Sequence, residues 1–209
     1  SYVYTWLKDG DIVYEEEASR SRVEARLTGL GETWTCIVTP VSGGAKGVTA
    51  QDVVNIRAGE GSVIVTELMP RPKAAPSAGE YVELHNIASV AVDVSGWVLR
   101  DASGDNFIIS PSASLMVESG SYLVIGASDD PLANGGVSVD VVWANFSLDD
   151  SADEVVIEAD GEVVDRMIYG TSVGLAAPLG AALNLDITAY DSVLNDSPEG
   201  WCRATSPTR

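Results

Sequence analysis

Apolar and polar residues alternate along this chain in short bursts, and clusters of Gly, Asp, Asn, Ser and Pro separate the bursts. A repeat of two is the signature of a strand with one face in a core. Residues 2–7 set Tyr2, Tyr4 and Trp6 against Val3, Thr5 and Leu7. Lys8-Asp9-Gly10-Asp11 reads as a turn, with Gly10 free to take a positive φ. Residues 22–27 alternate again, residues 32–39 place Trp34, Cys36 and Val38 on one side, and residues 48–56 close a first unit. No stretch carries a helical stripe capped at both ends.

The second half continues in the same idiom. Residues 63–68, 80–86, 90–94, 97–100, 106–109, 114–117, 122–126, 139–146, 154–158 and 162–169 read as strands. A loop with Pro70, Pro72 and Pro76 follows the first of them, and Asp160-Gly161 is a two-residue hairpin signal between the last two. In residues 80–86, Val82 and Leu84 share one face and Tyr81, Glu83 and His85 the other; the apolar pair is expected inside. After Tyr169 the chain is rich in Ala, Gly, Asn and Asp and reads as irregular, packed by Trp201, with one short helical turn at residues 181–185. Residues 57–61 are the one candidate linker, too short for a loose tether.

Many short strands with turn signals between them predict an all-β chain built of sandwiches. The 209 residues allow two ordinary domains, divided as 1–58 and 62–205. Charge sharpens this division. Residues 1–60 carry six basic and nine acidic groups, whereas residues 61–209 carry six basic and 22 acidic, for a net of −19 overall. Eleven acids and no base lie between Asp129 and Asp165. A phosphate backbone or an anionic membrane surface is repelled by such a chain, so no nucleic-acid partner is expected. No apolar run reaches the ~20 residues of a membrane span, so no membrane insertion is expected. No signal peptide opens the sequence, so the natural product is expected to be longer or to have lost its exporting segment. The two cysteines, Cys36 and Cys202, are too few for a disulfide scaffold or a four-cysteine zinc site, and their pairing stays open.

Two resemblances organise these blocks. Tyr4-Thr5-Trp6-Leu7-Lys8-Asp9-Gly10, followed by residues 31–40 around Trp34 and Cys36, resembles the later half of an Ig-like repeat of bacterial surface proteins. The resemblance implies Trp6 as a core tryptophan, Cys36 without its usual partner, and a sandwich truncated at its N-terminus. Residues 63–169 resemble the lamin tail domain. The matching pieces are Val63-Ile64-Val65-Thr66-Glu67-Leu68-Met69-Pro70, Gly79-Glu80-Tyr81-Val82-Glu83-Leu84-His85-Asn86, residues 92–101 around Gly96-Trp97, residues 120–125, Phe146-Ser147-Leu148, and residues 153–165 across Asp160-Gly161. That resemblance implies a second Ig-like β-sandwich, no catalytic motif, and a bacterial accessory module on a secreted or cell-surface protein.

Several residues nevertheless suggest chemistry. Asp101 and Asp105 in one loop, and Asp149, Asp150 and Asp153 in another, gather the hard oxygens that Ca²⁺ prefers; calcium is the candidate cofactor, although neither loop fits an EF-hand. The competing reading is a solvated acidic face. Gly170-Thr171-Ser172-Val173-Gly174 matches the nucleophile-elbow pattern, but the only histidine, His85, lies upstream and Pro178 spoils the helix the elbow needs. Glu67, Glu80 and Glu83 could supply a carboxylate pair for acid–base hydrolysis, Glu67 with Glu83 foremost, or bond backbone or loop groups or face water. His85 alone makes no metal site and is expected on a strand surface, titrating near the usual ~6.5. Trp143 and Tyr122 could stack on sugars; Trp6, Trp34 and Trp97 are expected in cores, with Trp143 and Trp201 open. Asn145-Phe146-Ser147 and Asn195-Asp196-Ser197 fit the glycosylation pattern, idle in a bacterial protein. The resulting expectation is a non-catalytic interaction or spacer module of a larger exported bacterial surface protein. Its partner would be a protein or glycan at the cell surface. A calcium-dependent adhesion or carbohydrate-binding module is the alternative, and a hydrolase is a third reading.

Overall fold

The structure, a computed structural model, describes residues 1–17, 21–23, 27–28, 31–56, 61–73, 77–110 and 112–204. It divides into two compact units, Ser1–Ala58 and Gly59–Arg209. The all-β expectation holds: the described elements are strands and a few single 3₁₀ turns. Residues 57–60 of the linker read at 57–61, and residues 24–26 of the strand read at 22–27, lie outside the described residues.

In the first unit, β1 (Tyr2–Lys8), β2 (Asp11–Glu17), β3 (Thr33–Ser42), β4 (Ala45–Lys46) and β5 (Ala50–Asn55) form one antiparallel sheet. Asp9 and Gly10 join β1 to β2 with φ of 52° and 92°, the two left-handed residues of a tight hairpin whose twist matches its strands. The sequence reading missed β2 because Ile12-Val13-Tyr14 runs straight into Glu15-Glu16-Glu17, which masks the alternation. β1 and β3 pair with Trp6 opposite Cys36 and Val3 opposite Thr39. Val3 and Trp34 are the buried apolar side chains of the unit's described residues. Trp6 is only half-buried, a departure from its expected core position.

The second unit carries the deep core. Its six-stranded sheet runs β13-β12-β7-β6-β16-β17, from β6 (Val63–Met69), β7 (Tyr81–Asn86), β12 (Tyr122–Gly126), β13 (Val141–Val142), β16 (Leu183–Leu185) and β17 (Trp201–Arg203). Its four-stranded sheet runs β10-β9-β14-β15, from β9 (Val98–Arg100), β10 (Asn106–Ile108), β14 (Ala152–Ala159) and β15 (Glu162–Gly170). β8 (Val92–Asp93) and β11 (Met116–Val117) form a separate ladder. All pairings are antiparallel except β12 with β13. Val65, Leu68, Val82, Leu84, Leu123, Ile125 and Leu183 of one sheet, with Leu99, Val155, Ile157, Met167 and Tyr169 of the other, are buried. Each such side chain contributes about 1.5–3 kcal/mol when fully removed from water.

Two irregularities redirect acidic side chains. β6 bulges at Thr66, so that Val65 faces Leu84 but Glu67 faces Glu83. β15 bulges at Val164, so that Val163 faces Glu158 but Asp165 faces Ile157, turning Asp165 inward. The hairpin residues Asp160 and Gly161 have φ of 53° and 84°, as their sequence implies. The tail departs from expectation: residues 183–185 form β16 rather than a helical turn, because they complete the open edge of β6 through Leu183 and Asn184.

Candidate functional site

The polar face of the six-stranded sheet gathers four residues singled out in the sequence: Glu67, Glu83, His85 and Tyr122. Alternation along β7 sends Tyr81, Glu83 and His85 to this face, and the Thr66 bulge restores Glu67 to it. Glu67 accepts a short hydrogen bond from the Tyr81 hydroxyl and a second, at 3.1 Å, from Asn184 Nδ2. Thr66 Oγ1 donates to Glu83 Oε1 at 2.9 Å. Burial, and then the bond to Glu67, push the Tyr81 hydroxyl well above its ordinary range, so it stays a donor. Both Glu67 oxygens are thereby engaged in holding β7 and β16 to β6. That is a bracing arrangement; acid–base catalysis needs an oxygen aimed at a substrate.

His85 corrects the expectation of a surface residue. It is 8% exposed, and its ring stacks on Tyr122 at 4.1 Å and 18°, with Tyr190 tilted 5.1 Å away. Nδ1 donates to the Ser121 carbonyl at 3.1 Å. Burial lowers its pKa from the usual value, against the opposing effect of that carbonyl. Burial therefore favours the neutral imidazole. Tyr122 is 47% exposed, and its hydroxyl meets that of Tyr190 at 3.4 Å.

The two acidic loops lie side by side, since Ser147 Oγ donates to Asp105 Oδ2 at 3.2 Å. Asp101, though buried, spends its oxygens on its own loop: Oδ1 accepts from the Gly104 and Asp105 amides, each at 2.8 Å, and Oδ2 from Ser103 Oγ at 2.8 Å. Asp149 Oδ1 accepts from the Ser151 hydroxyl and amide and from Ala152, which lowers its pKa, the Ser151 hydroxyl having the largest effect. Asp153 accepts from the Asp149 and Glu154 amides, and burial raises its pKa. Asp150 is exposed, with Oδ2 3.7 Å from Arg71 Nε. Among the described residues no three acids, histidines or cysteines are grouped to hold a metal ion. Asp101, Asp149 and Asp153 close turns by accepting local hydrogen bonds, the usual work of Asp in loops.

Trp97 is buried behind the Ser95-Gly96 turn, and the tight Asp160-Gly161 hairpin joins β14 to β15. A model of the Lamin Tail Domain matches residues 57–171, more than half of the chain. The chain belongs to the lamin tail domain family. A search of curated proteins found no match. Lamin tail domains are Ig-like modules, typically non-catalytic and protein-binding.

The remaining candidates fit the lamin tail scaffold without chemistry. Ser172 sits exposed on the 3₁₀ turn Thr171–Val173, and the chain returns at once to pair Leu175 with Gly170. No α-helix follows it among the described residues, and His85 belongs to the other sheet, so the elbow geometry is missing. Trp143 is buried edge-on against Phe146 at 5.1 Å, in the core rather than on a sugar platform. Trp201 is buried too, and Asn195 of the second glycosylation pattern is fully buried. Cys36 and Cys202 are both free thiols.

Sequence reasoning missed Asp165, and named Asn195 only within a glycosylation pattern. Asp165 Oδ2 accepts from the Val65 amide at 2.7 Å and Asn195 Nδ2 at 2.8 Å. The signal was present: residues 165, 167 and 169 alternate as Asp, Met and Tyr, which puts an acid on the face of two large core residues.

Proposed function

We propose that this chain is a non-catalytic, protein-binding or spacer module of a larger exported bacterial surface protein. The observation that carries the reading is how the lamin tail unit uses its polar groups. Glu67, Asp101, Asp149 and Asp153 are turned to hydroxyls, amides and neighbouring strands that hold the fold together. What faces outward is strongly acidic, in a chain of net charge −19. Complementarity therefore favours a partner protein with a basic surface, whose encounter weakens with salt.

The test is a pulldown from surface fractions with the intact chain as bait, at low and at high salt. Retention of basic proteins that falls with salt supports the binding reading. Empty pulldowns leave the spacer role, and a full-length product found only in cytosol sinks the surface location. A second reading, glycan binding, is favoured by the exposed Tyr122 ring backed by His85. A glycan array that is blank for the chain, or unchanged by Tyr122→Ala, removes it.

A further inference from the structure

Beneath the C-terminal arm of the lamin tail unit, residues 186–203 from the turn Ile187–Ala189 to β17, one acid is sealed from solvent. Asp165 is 2% exposed and Asn195 0%. The Asn195 backbone carbonyl accepts the Trp201 indole N–H at 2.6 Å, so a chain of three residues ties the arm to β15 and, through the Val65 amide, to β6. The Asp165–Asn195 contact is one hydrogen bond between two buried planar groups, each of which keeps a second oxygen. Asn195 Nδ2 donates to Asp165 Oδ2, but Asp165 Oδ1 and Asn195 Oδ1 are both buried and find no donor of good hydrogen-bond geometry among the described residues, the Arg166 amide acting only weakly on the carboxyl. An amide oxygen only accepts, and so does an ionised carboxylate, so the charged form leaves both oxygens without a donor. A protonated carboxyl supplies the missing one: Oδ1–H would donate to Asn195 Oδ1 and close a cyclic acid–amide pair. Leaving two such buried oxygens unpaired is costly, and one proton satisfies both.

We propose that Asp165 is a protonated acid in the folded protein, and that its cyclic pair with Asn195 latches the C-terminal arm until the proton leaves. On opening, the Asp165 O–H bond breaks, the proton passes to solvent and the electron pair stays on the carboxylate. The new buried charge then faces Asn195 Oδ1. The surroundings support the protonated state. Burial pushes the Asp165 carboxyl up to about 7, and the Asp196 carboxylate on the arm adds to the rise. The amides of Val65, Asn195 and Arg166 pull the other way. The other packed elements bring no charge to it: β14 sets apolar Ile157 opposite, Glu67 of β6 is held by Tyr81 and Asn184, and the Arg166 side chain reaches Glu154. The latch is independent of the binding reading and of any partner.

The test uses the full chain. The Asp165 carboxyl carbon and the Trp201 indole N–H are followed by NMR from about pH 5 to about pH 9, a span that brackets the transition. The expected result is one common midpoint near neutrality, with protection of the arm amides against hydrogen exchange falling at least about tenfold above it. An Asp165 midpoint below about pH 5, in the ordinary range of carboxylates, overturns the proposal. So do arm resonances that ignore the titration. Asp165→Asn supplies the independent check, because its amide can make both legs of the pair at any pH. It should fold with the arm protected throughout. A variant that fails to fold, or whose arm opens above neutrality like the wild type, also overturns the latch.

Discussion

The two units bury their apolar residues very differently. In the first, strands of good β composition form one described sheet in which only Val3 and Trp34 are buried apolar residues, and Ile12, Val53 and Val54 face solvent. In the second, both faces of β7 are largely covered: Val82 and Leu84 point into the sandwich, while Tyr81 and His85 are buried on the polar side. Strand pattern alone thus forms a sheet in both units, and among the described residues the second unit adds a second packed layer.

The contrast predicts unequal responses to the same lesion. Leu84→Ala should cost about 3–5 kcal/mol, because a fully buried leucine leaves a cavity in a packed sandwich. Leu7→Ala in the half-exposed sheet should cost a fraction of that, and urea unfolding of both variants gives the ratio. Equal costs would mean that the first unit has a core of the same quality. Next in size is the response to pH. The Asp165 pKa is raised, so its contribution to stability is fully present below the unfolded carboxylate value near 3.8 and is lost as pH rises through about 7. Melting temperatures of Asp165→Asn should lack that decline, whereas a first-unit variant such as Asp52→Asn should keep it. Trp201→Phe keeps an aromatic ring in place but removes the donor to Asn195, at an expected cost of about 1–3 kcal/mol in thermal unfolding. The smallest effect concerns calcium. Melts with EDTA and with millimolar CaCl₂ should coincide at fixed ionic strength, because the loop aspartates already serve local donors. A rise of several degrees would show ligands rearranging onto an ion.

How much of the fold was legible differs along the chain for physical reasons. Strands with clean alternation, such as β7 and β12, and the Asp-Gly turns were readable because their geometry is set locally. β16 and β17 were not, since a three-residue strand exists only by pairing with partners distant in sequence. Glu67, Glu83, His85 and Tyr122 could be named as interesting residues. Their meeting on one face could not, because it depends on the register of three strands and on the Thr66 bulge. The role of Asp101 and Asp149 as turn caps was as available as the calcium reading, but sequence records which oxygens are present and not which way they turn.

The closure of β6 by β16 has a consequence for synthesis. Glu67 and Asn184 meet across 117 positions of chain. At ribosomal rates of about 5–20 residues per second, the free edge of β6 waits roughly ten seconds for its partner strand. During that interval it offers unpaired backbone groups to any neighbouring nascent chain, and contacts of such long range also slow the final folding step. A protein cut at residue 171 would keep that edge open permanently, and would be expected to associate through it.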